Sequence, residues 1–117
     1  MAQRPKGAIY IANDVFADLA GYTALESYGV VGMASPTMRD GVAQLLPAQK
    51  LRKGVKVANT EEGVQIDLYV VIEHGVRLDE VSRSLAERVR YVLTAASAVT
   101  ICSVKVYVMG VKVRSAK

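Results

Sequence analysis

The chain has very few of the residues on which catalytic and metal sites depend. Its 117 residues include one cysteine, Cys102, and one histidine, His74. A single histidine excludes most metal sites of the zinc type, and its place at a predicted strand-to-helix turn favours a turn residue over the base of a Ser-His-Asp triad. A single cysteine excludes an intramolecular disulfide, and its apolar neighbours Ile101, Val104 and Val106 favour a small core residue in a reducing compartment. We therefore expect a cytoplasmic protein without a resident metal or cofactor.

Long apolar runs and phosphate-binding motifs are also missing. The apolar stretches are far shorter than the ~18 residues of a membrane-spanning helix, and the N-terminus lacks the uninterrupted apolar run of a signal peptide. No Walker A sequence or dinucleotide fingerprint occurs. The segment Gly29-Val-Val-Gly32 matches the GxxG of KH domains, but Val30 and Val31 favour burial over contact with RNA. The sequence thus predicts no catalytic, cofactor-binding or metal-binding residue.

What the chain does contain suits one well-packed domain. Hydrophobic residues make up 51% and charged residues 22%, and a chain of this length buries a core without metals or disulfides. We therefore expect a single domain over residues 1–117. The net charge is +4, and the positive residues form three clusters: Arg4 and Lys6; Lys50, Arg52, Lys53 and Lys56; Lys105, Lys112, Arg114 and Lys117. Solvated loop charges are the favoured interpretation, and a docking patch for acidic protein, lipid headgroups or nucleic acid is the alternative.

Hydrophobic periodicity predicts the order strand, helix, three strands, helix, strand. A first strand over 6–11 precedes a helix that is N-capped by Asn13, carries Asp14 in its first turn and ends before Gly29. A short strand over 30–33 follows. The next connection, from Ser35 to Lys53, is irregular, with room for only a short helical turn at 42–46.

The second half of the chain predicts a β-hairpin, a long helix and a closing strand. Alternation around a turn at 60–63 gives a hairpin over 55–72, whose even-numbered residues from Val64 to Ile72 face the core. A helix capped near Asp79 has the apolar seam Val81, Leu85, Val89, Val92 and Ala96. The last strand, 101–113, turns Cys102, Val104, Val106 and Val108 toward the core. This predicted order of strands and helices favours an α+β fold with two long helices packed on one face of a mixed sheet.

The other face of this sheet is the candidate partner surface. Tyr69 and Val71 on the hairpin and Tyr107 and Met109 on the last strand project away from the helices, and Lys105 and Glu73 lie at the rim. Tyrosine and methionine are enriched at interfaces. A protein partner or a second copy of the chain is therefore expected on this face, and scattered surface apolar residues without a role are the alternative.

Two polar groupings resemble catalytic arrangements. Cys102 and His74 offer a nucleophile and a base, but a core-facing cysteine favours a structural role. An acid–base pair of carboxylates needs one buried member, whereas the acidic residues of the hairpin lie in its turn or face away from the core. Solvated charge is the favoured interpretation of these residues, which are Glu61, Glu62, Asp67 and Glu73.

The order of segments resembles a known family. The segments are Gly7-Ala-Ile-Tyr-Ile-Ala before the first helix, Leu25-Glu-Ser-Tyr-Gly-Val-Val-Gly-Met33, Gly54-Val-Lys-Val57, the strand 63–72 and the closing Val104-Lys-Val-Tyr-Val-Met-Gly-Val111. Together, from about Lys6 to Val113, they resemble the alkaline-shock-protein family of Gram-positive envelope stress response proteins. The resemblance implies a non-enzymatic, cytoplasmic bacterial protein that acts in envelope homeostasis as a scaffold or regulator through protein–protein contacts.

The resemblance also bears on partners. Some members are held at the membrane by a separate anchoring protein, so it implies a membrane link only through such an anchor. Some branches are associated with fatty-acid synthesis, which makes a regulator of that pathway the alternative. The family carries over no catalytic residues, and no small-molecule substrate is expected. Basic residues in separate loops, without interleaved aromatics, predict at most weak, nonspecific binding of nucleic acid. A weak nucleic-acid-binding α/β domain is the second alternative.

Overall fold

The computed structural model describes residues 6–36, 45–97 and 99–113, with only the backbone of residues 6–12 and 48. A four-stranded sheet carries two long helices on one face, so the predicted α+β class is confirmed. The elements are α1 (Lys6–Leu25), β1 (Val30–Met33), a 3₁₀ segment (Ala48–Gly54), β2 (Val55–Thr60), β3 (Gly63–Glu73), α2 (Leu78–Ala96) and β4 (Ile101–Lys112).

The long strand β3 is the centre of the sheet because both of its sides are paired. On one side β4 runs parallel to it, from Val64 to Glu73. On the other side β2 pairs antiparallel with its first half, as the predicted hairpin requires, and β1 pairs antiparallel with its second half. The helix α2 connects β3 to β4, because parallel neighbours need a long crossover.

The core lies between this sheet and the helices. The even-numbered side chains of β3, from Val64 to Ile72, are at most 2% exposed, which confirms the predicted direction of the strand. They pack against α1, α2 and β1 through Phe16, Ala20, Ala24, Val30, Val81, Leu85, Val89 and Leu93. Alternation of apolar and polar residues therefore sets which face of β3 the helices cover.

The predicted first strand over 6–11 is wrong. Helix α1 begins at Lys6 and continues to Leu25. Once a first turn exists, each further residue adds a hydrogen bond at little cost, and Asn or Asp lowers helix stability by only about 0.7 kcal/mol relative to alanine. Asn13 is therefore an interior helix residue and not an N-cap. Asp14 contacts Arg52 instead of stabilising a helix start.

Arg52 connects the 3₁₀ segment to α1. Its Nε donates to Asp18 Oδ1 at 2.8 Å and its Nη2 donates to Oδ2 at 3.0 Å, while Nη1 lies 3.3 Å from Asp14 Oδ2. The hydrogen bond from Arg52 holds the pKa of Asp18 below its ordinary value, against the opposing effect of burial. Within the middle basic cluster, Arg52 thus links the 3₁₀ segment to α1 through two carboxylates. Lys53 and Lys56 are exposed and form no ion pair among the described residues.

The apolar seam of α2 follows a different line from the predicted one. Val81, Leu85 and Val89 are buried as predicted, but the next buried residue is Leu93; Val92 is half-buried and Ala96 is exposed. A row of i, i+4 positions is inclined by about 26° to the helix axis. The sheet therefore contacts α2 along an oblique line. The residue before the helix, Arg77, makes no side-chain capping bond, and Asp79 and Glu80 occupy the first turn.

The pairing of β4 with β3 has two irregularities, and the first corrects the predicted direction of Cys102. Val64 pairs with Ile101 and Gln65 with Ser103, so Cys102 is an extra, bulged residue. It is half-buried, and its Sγ lies 3.8 Å from the Oγ1 of Thr60. The core position belongs to Ile101 instead. A second irregularity lies between Val70 and Val71 of β3, opposite Val108 and Gly110.

Several predictions fall on residues that are not described. Arg4, Arg114, Lys117 and residues 42–44 lie outside the described residues, and the side chain of Lys6 does too. Of the helical turn predicted at 42–46, Leu45 and Leu46 are described and are not helical. The 3₁₀ segment that follows begins at Ala48.

Candidate functional site

The sheet face that the helices leave uncovered is called the open face below. The register of the strands arranges its side chains in rows across the sheet. One row consists of Lys56 on β2, Asp67 on β3 and Lys105 on β4. The next row toward the carboxyl end of β3 consists of Tyr69 and Tyr107. The open face therefore places two tyrosines beside two lysines.

The two tyrosines form a stacked pair. Their ring centroids are 4.9 Å apart and their planes differ by 12°. The Nζ of Lys56 lies 5.8 Å from the centroid of the Tyr69 ring, within the range of a cation–π contact. Tyr107 remains 40% exposed. The pair is thus an ordered aromatic surface that solvent still reaches.

Asp67 lies between the two lysines and is half-buried. Its Oδ1 is buried and has no hydrogen-bond partner among the described residues. Neither Lys56 nor Lys105 forms an ion pair with it. Asp67 is therefore less solvated than predicted, while Glu61 and Glu62 in the hairpin turn are exposed as predicted. A buried carboxylate oxygen without a partner costs free energy, and the exposed lysines on either side are the charged groups of this row that a partner reaches first.

Val71 is not accessible, which corrects its predicted exposure. It is 0% exposed and forms a small second core with Ala34, against which Val31 and Met109 pack. The chain continues past β1 alongside β3, where the N–H of Ala34 donates to the carbonyl oxygen of Tyr69 at 2.9 Å. The open face is therefore closed at its Val71 end and accessible around the tyrosines.

Comparison with known proteins identifies the family. The model of the alkaline shock protein 23 family, described as having a "cell envelope-related function", matches residues 1–113. The chain belongs to this alkaline-shock-protein family. This confirms the resemblance seen in the sequence and establishes a family with a cell-envelope-related function. No solved structure matches the chain.

Three uncharacterized bacterial proteins are relatives of this alkaline-shock-family chain. Spy1614 of Streptococcus pyogenes serotype M6 is 40% identical over 92% of the chain and 89% of its own length. YloU of Bacillus subtilis strain 168 is 35% identical over 92% of the chain and 90% of its own length. YqhY of the same strain is 30% identical over 91% of the chain and 78% of its own length. The similarity thus extends over most of the length of each relative.

The catalytic pairing weighed for Cys102 and His74 does not form in this family member. Cys102 is next to the Val64 end of β3, and His74 follows Glu73 at the other end, where its N–H donates to the carbonyl oxygen of Lys112. At ~3.3 Å per residue along a strand, these ends are roughly 30 Å apart. No cluster of three metal-ligating side chains occurs within the described residues. Nor does any helix in that part of the chain combine the length and apolar composition of a membrane span.

A groove on the helical side offers a second concave surface in this alkaline-shock-family protein. It encloses about 750 Å³ between the turn after α1, the turn after β3 and the outer face of α2. Tyr28 and Tyr91 line it and are highly exposed, but the arginines at its rim, Arg77 and Arg88, lie beside carboxylates. Its rim charges are therefore balanced locally, unlike the lysines of the open face.

Sequence reasoning placed Tyr69, Tyr107, Met109 and Lys105 on one face but missed three features of the site. It did not place Lys56 there, did not join the two tyrosines into a stack, and did not recognise the burial of Asp67. The signal for Lys56 was present in the hairpin, because a turn at 60–63 sets the register that puts Lys56 opposite Asp67. The stack depended on the pairing of β3 with β4, which no local pattern specifies.

Proposed function

We propose that this alkaline-shock-family protein is a non-catalytic scaffold or regulator that acts on the cell envelope through protein–protein contacts. Its partner-binding surface is the open face around Tyr69 and Tyr107, with Met109, Lys56 and Lys105 beside them. The observation that carries the proposal is the exposed tyrosine stack flanked by two lysines. Val71, which belonged to the same surface in the sequence prediction, is instead buried beside it in a small core.

The energetics of the open face support protein contact. Tyrosines supply large contact area at a low entropic cost because their rings have few rotatable bonds. Here the stack already fixes both rings, so binding loses less side-chain freedom. A partner with acidic groups would pair with the exposed flanking lysines, Lys56 and Lys105. These features favour a specific protein partner or a second copy of the chain over scattered surface residues.

The cellular setting of the proposal follows from the family. We infer a cytoplasmic protein that is peripheral to the membrane and is held there by an anchoring protein. The same surface would serve a regulator of fatty-acid synthesis, and the identity of the bound partner decides between the two roles. No small-molecule substrate or cofactor enters the proposal.

Nucleic acid is the second candidate because of one observation. Aromatic side chains on neighbouring strands, with lysines nearby, are the elements that RNA-binding sheets use for stacking bases. Here the two rings face each other, so each has one face occupied, and Lys56 lies near the Tyr69 ring. We therefore expect weak, nonspecific binding that disappears as salt rises. Binding that shows sequence preference at physiological salt would favour this second role.

In-cell photo-cross-linking tests the protein-contact proposal. A photoreactive phenylalanine analogue replaces Tyr107 in one variant and Tyr91 in a control. Tyr91 is 75% exposed on α2 and lies off the open face. We expect a discrete cross-linked protein, or a cross-linked dimer, from position 107 and none of the same size from position 91. The same product should disappear in the presence of a Tyr69→Lys substitution that leaves the protein folded.

Two results would refute the proposal. One is equal cross-linking from both positions. The other is a protein that stays monomeric at high concentration, combined with a folded Tyr107→Lys, Met109→Lys double variant that keeps every cross-linked partner.

A further inference from the structure

The outer side of β4 is an unusually long strand edge. β4 runs for 12 residues and pairs with β3 on one side, and within the described residues no strand pairs with its other side. Strands in globular proteins are mostly about 5–6 residues long, and long apolar edges recruit further strands. Tyr107, Val108 and Val111 on β4 are exposed, as is Val113 just beyond it.

The irregularities that interrupt this strand edge lie at the two ends of β4, and the one charged residue between them is Lys105. At its start, Cys102 is bulged, and its carbonyl oxygen accepts a hydrogen bond from Arg90 Nη2 at 3.4 Å. Near its end, the register shifts between Val108 and Gly110. Between these points Ser103 to Val108 pairs with β3 without interruption. This regular run is long enough to accept one more strand.

The charge of the edge identifies what it accepts. β4 carries Lys105 and Lys112 and no acidic residue, and Arg90 reaches the edge from α2. Lys105 takes part in none of the ion pairs among the described residues. Antiparallel pairing of two copies about Lys105 would place two lysines opposite each other, and like charges directly opposite on paired strands are destabilising. An acidic segment complements the same edge.

We propose that the outer edge of β4, from Ser103 to Val108, binds an extended segment of a partner protein in which acidic and apolar residues alternate. The segment adds a fifth strand to the sheet. Its backbone pairs with the outward N–H and C=O groups of β4, its acidic side chains lie on the open face beside Lys105, and its apolar side chains lie beside Val108. This inference rests on the proposed action through protein contacts and specifies the chemistry of the partner.

Amide hydrogen exchange measured by NMR tests this proposal with a defined probe. The probe is the synthetic peptide acetyl-Glu-Val-Glu-Val-Glu-Val-amide. In a β-strand, successive backbone N–H groups point to opposite sides, so those of β4 that face β3 are already bonded. We expect the peptide to slow exchange at alternate residues of 103–108, namely those with N–H groups directed outward. A peptide with proline in place of its first two valines keeps the charge but breaks the pairing, and it should have no effect.

Matched charge variants identify the contribution of Lys105. We expect Lys105→Glu to weaken binding of the acidic peptide by about tenfold or more, because a like charge then faces the ligand. Lys53→Glu makes the same change of net charge at an exposed site on the 3₁₀ segment and should change binding less than about twofold. A variant that fails to fold is recognised by its circular dichroism spectrum. In that case the unsubstituted protein is titrated with an analogue of the peptide that has lysine in place of glutamate. The proposal expects this analogue to leave amide exchange in β4 unchanged.

Four outcomes would overturn the proposal. They are the absence of protection in β4, protection without the alternating pattern, equal binding of the acidic and lysine-containing peptides, and dimerisation of the chain through β4 without any peptide. The first three do not bear on the cross-linking at Tyr107, which reports side-chain contact on the open face. A dimer formed through the backbone of β4 differs from an open-face dimer because it should persist in the Tyr69→Lys variant, whose substitution lies on β3. The proposed function therefore stands or fails separately.

Discussion

The stacked tyrosines predict a measurable coupling between two residues on neighbouring strands, Tyr69 and Tyr107. Aromatic pairs contribute about 0.5–1.5 kcal/mol beyond the area they bury. Tyr107 is 40% exposed, so we expect a value near the middle of that range, about 1 kcal/mol. The assay is a double-mutant cycle of Tyr69→Ala and Tyr107→Ala, with the free energy of unfolding measured by urea denaturation. The losses of unfolding free energy in the two single variants, added together, should exceed the loss in the double variant by this coupling energy.

The cycle has an internal control. Tyr69→Ala combined with Tyr91→Ala also removes two tyrosine rings, but Tyr91 lies on α2 and does not contact Tyr69. Effects at separate sites add within about 0.3–0.5 kcal/mol. Replacement of either tyrosine of the stack by phenylalanine keeps the rings and should retain the coupling. A coupling for Tyr69 and Tyr107 no larger than that of the control pair would refute the stack and the partner surface built on it.

Two further predictions concern the stability of the fold. Gly63 has a φ of +136°, and a Cβ there would lie 2.6 Å from the carbonyl oxygen of Thr100, so Gly63→Ala should destabilise by more than about 2 kcal/mol. Gly75→Ala, with a φ of +94° and open space around the Cβ, should cost about 1 kcal/mol; equal losses of melting temperature would contradict this reasoning. Because Arg52 lowers the pKa of Asp18 in the folded state, the stabilisation is complete above the unfolded pKa of about 3.9. It is lost as pH falls through the folded pKa. Asp18→Asn should therefore flatten the fall of the urea midpoint below about pH 4, and an unchanged profile would contradict the assignment.

Strands and the second helix could be predicted from sequence because their patterns are local. The alternation from Val64 to Ile72 specifies a buried face wherever the strand lies, and the i, i+4 row from Val81 to Val89 does the same for α2. The strand predicted before Asn13 was wrong because its local pattern is ambiguous. Its apolar residues fit both periods over a short stretch, and continuity with the following helix decided the outcome.

The bulge at Cys102 could not be predicted because it depends on pairing. Simple alternation through β4 placed Cys102 and Val104 on one side. The pairing of β3 with β4 inserts one extra residue at Cys102, so Ile101 takes the core position. The stack of Tyr69 on Tyr107 depends on the same long-range register, which joins residues 38 positions apart in the sequence and is not specified by their neighbours.

The burial of Val71 has a consequence for how a partner can approach. Val71 is packed with Ala34, Val31 and Met109, so the accessible part of the open face lies around the tyrosines, Lys56 and Lys105. Lys105 and Tyr107 belong to β4, whose outer edge lies at the same place. A single partner could therefore contact the stack with side chains and the edge with its backbone. Side-chain contact is detected by cross-linking at Tyr107 and backbone pairing by hydrogen exchange, so a partner that uses only one of the two modes will give a positive result in one experiment and not in the other.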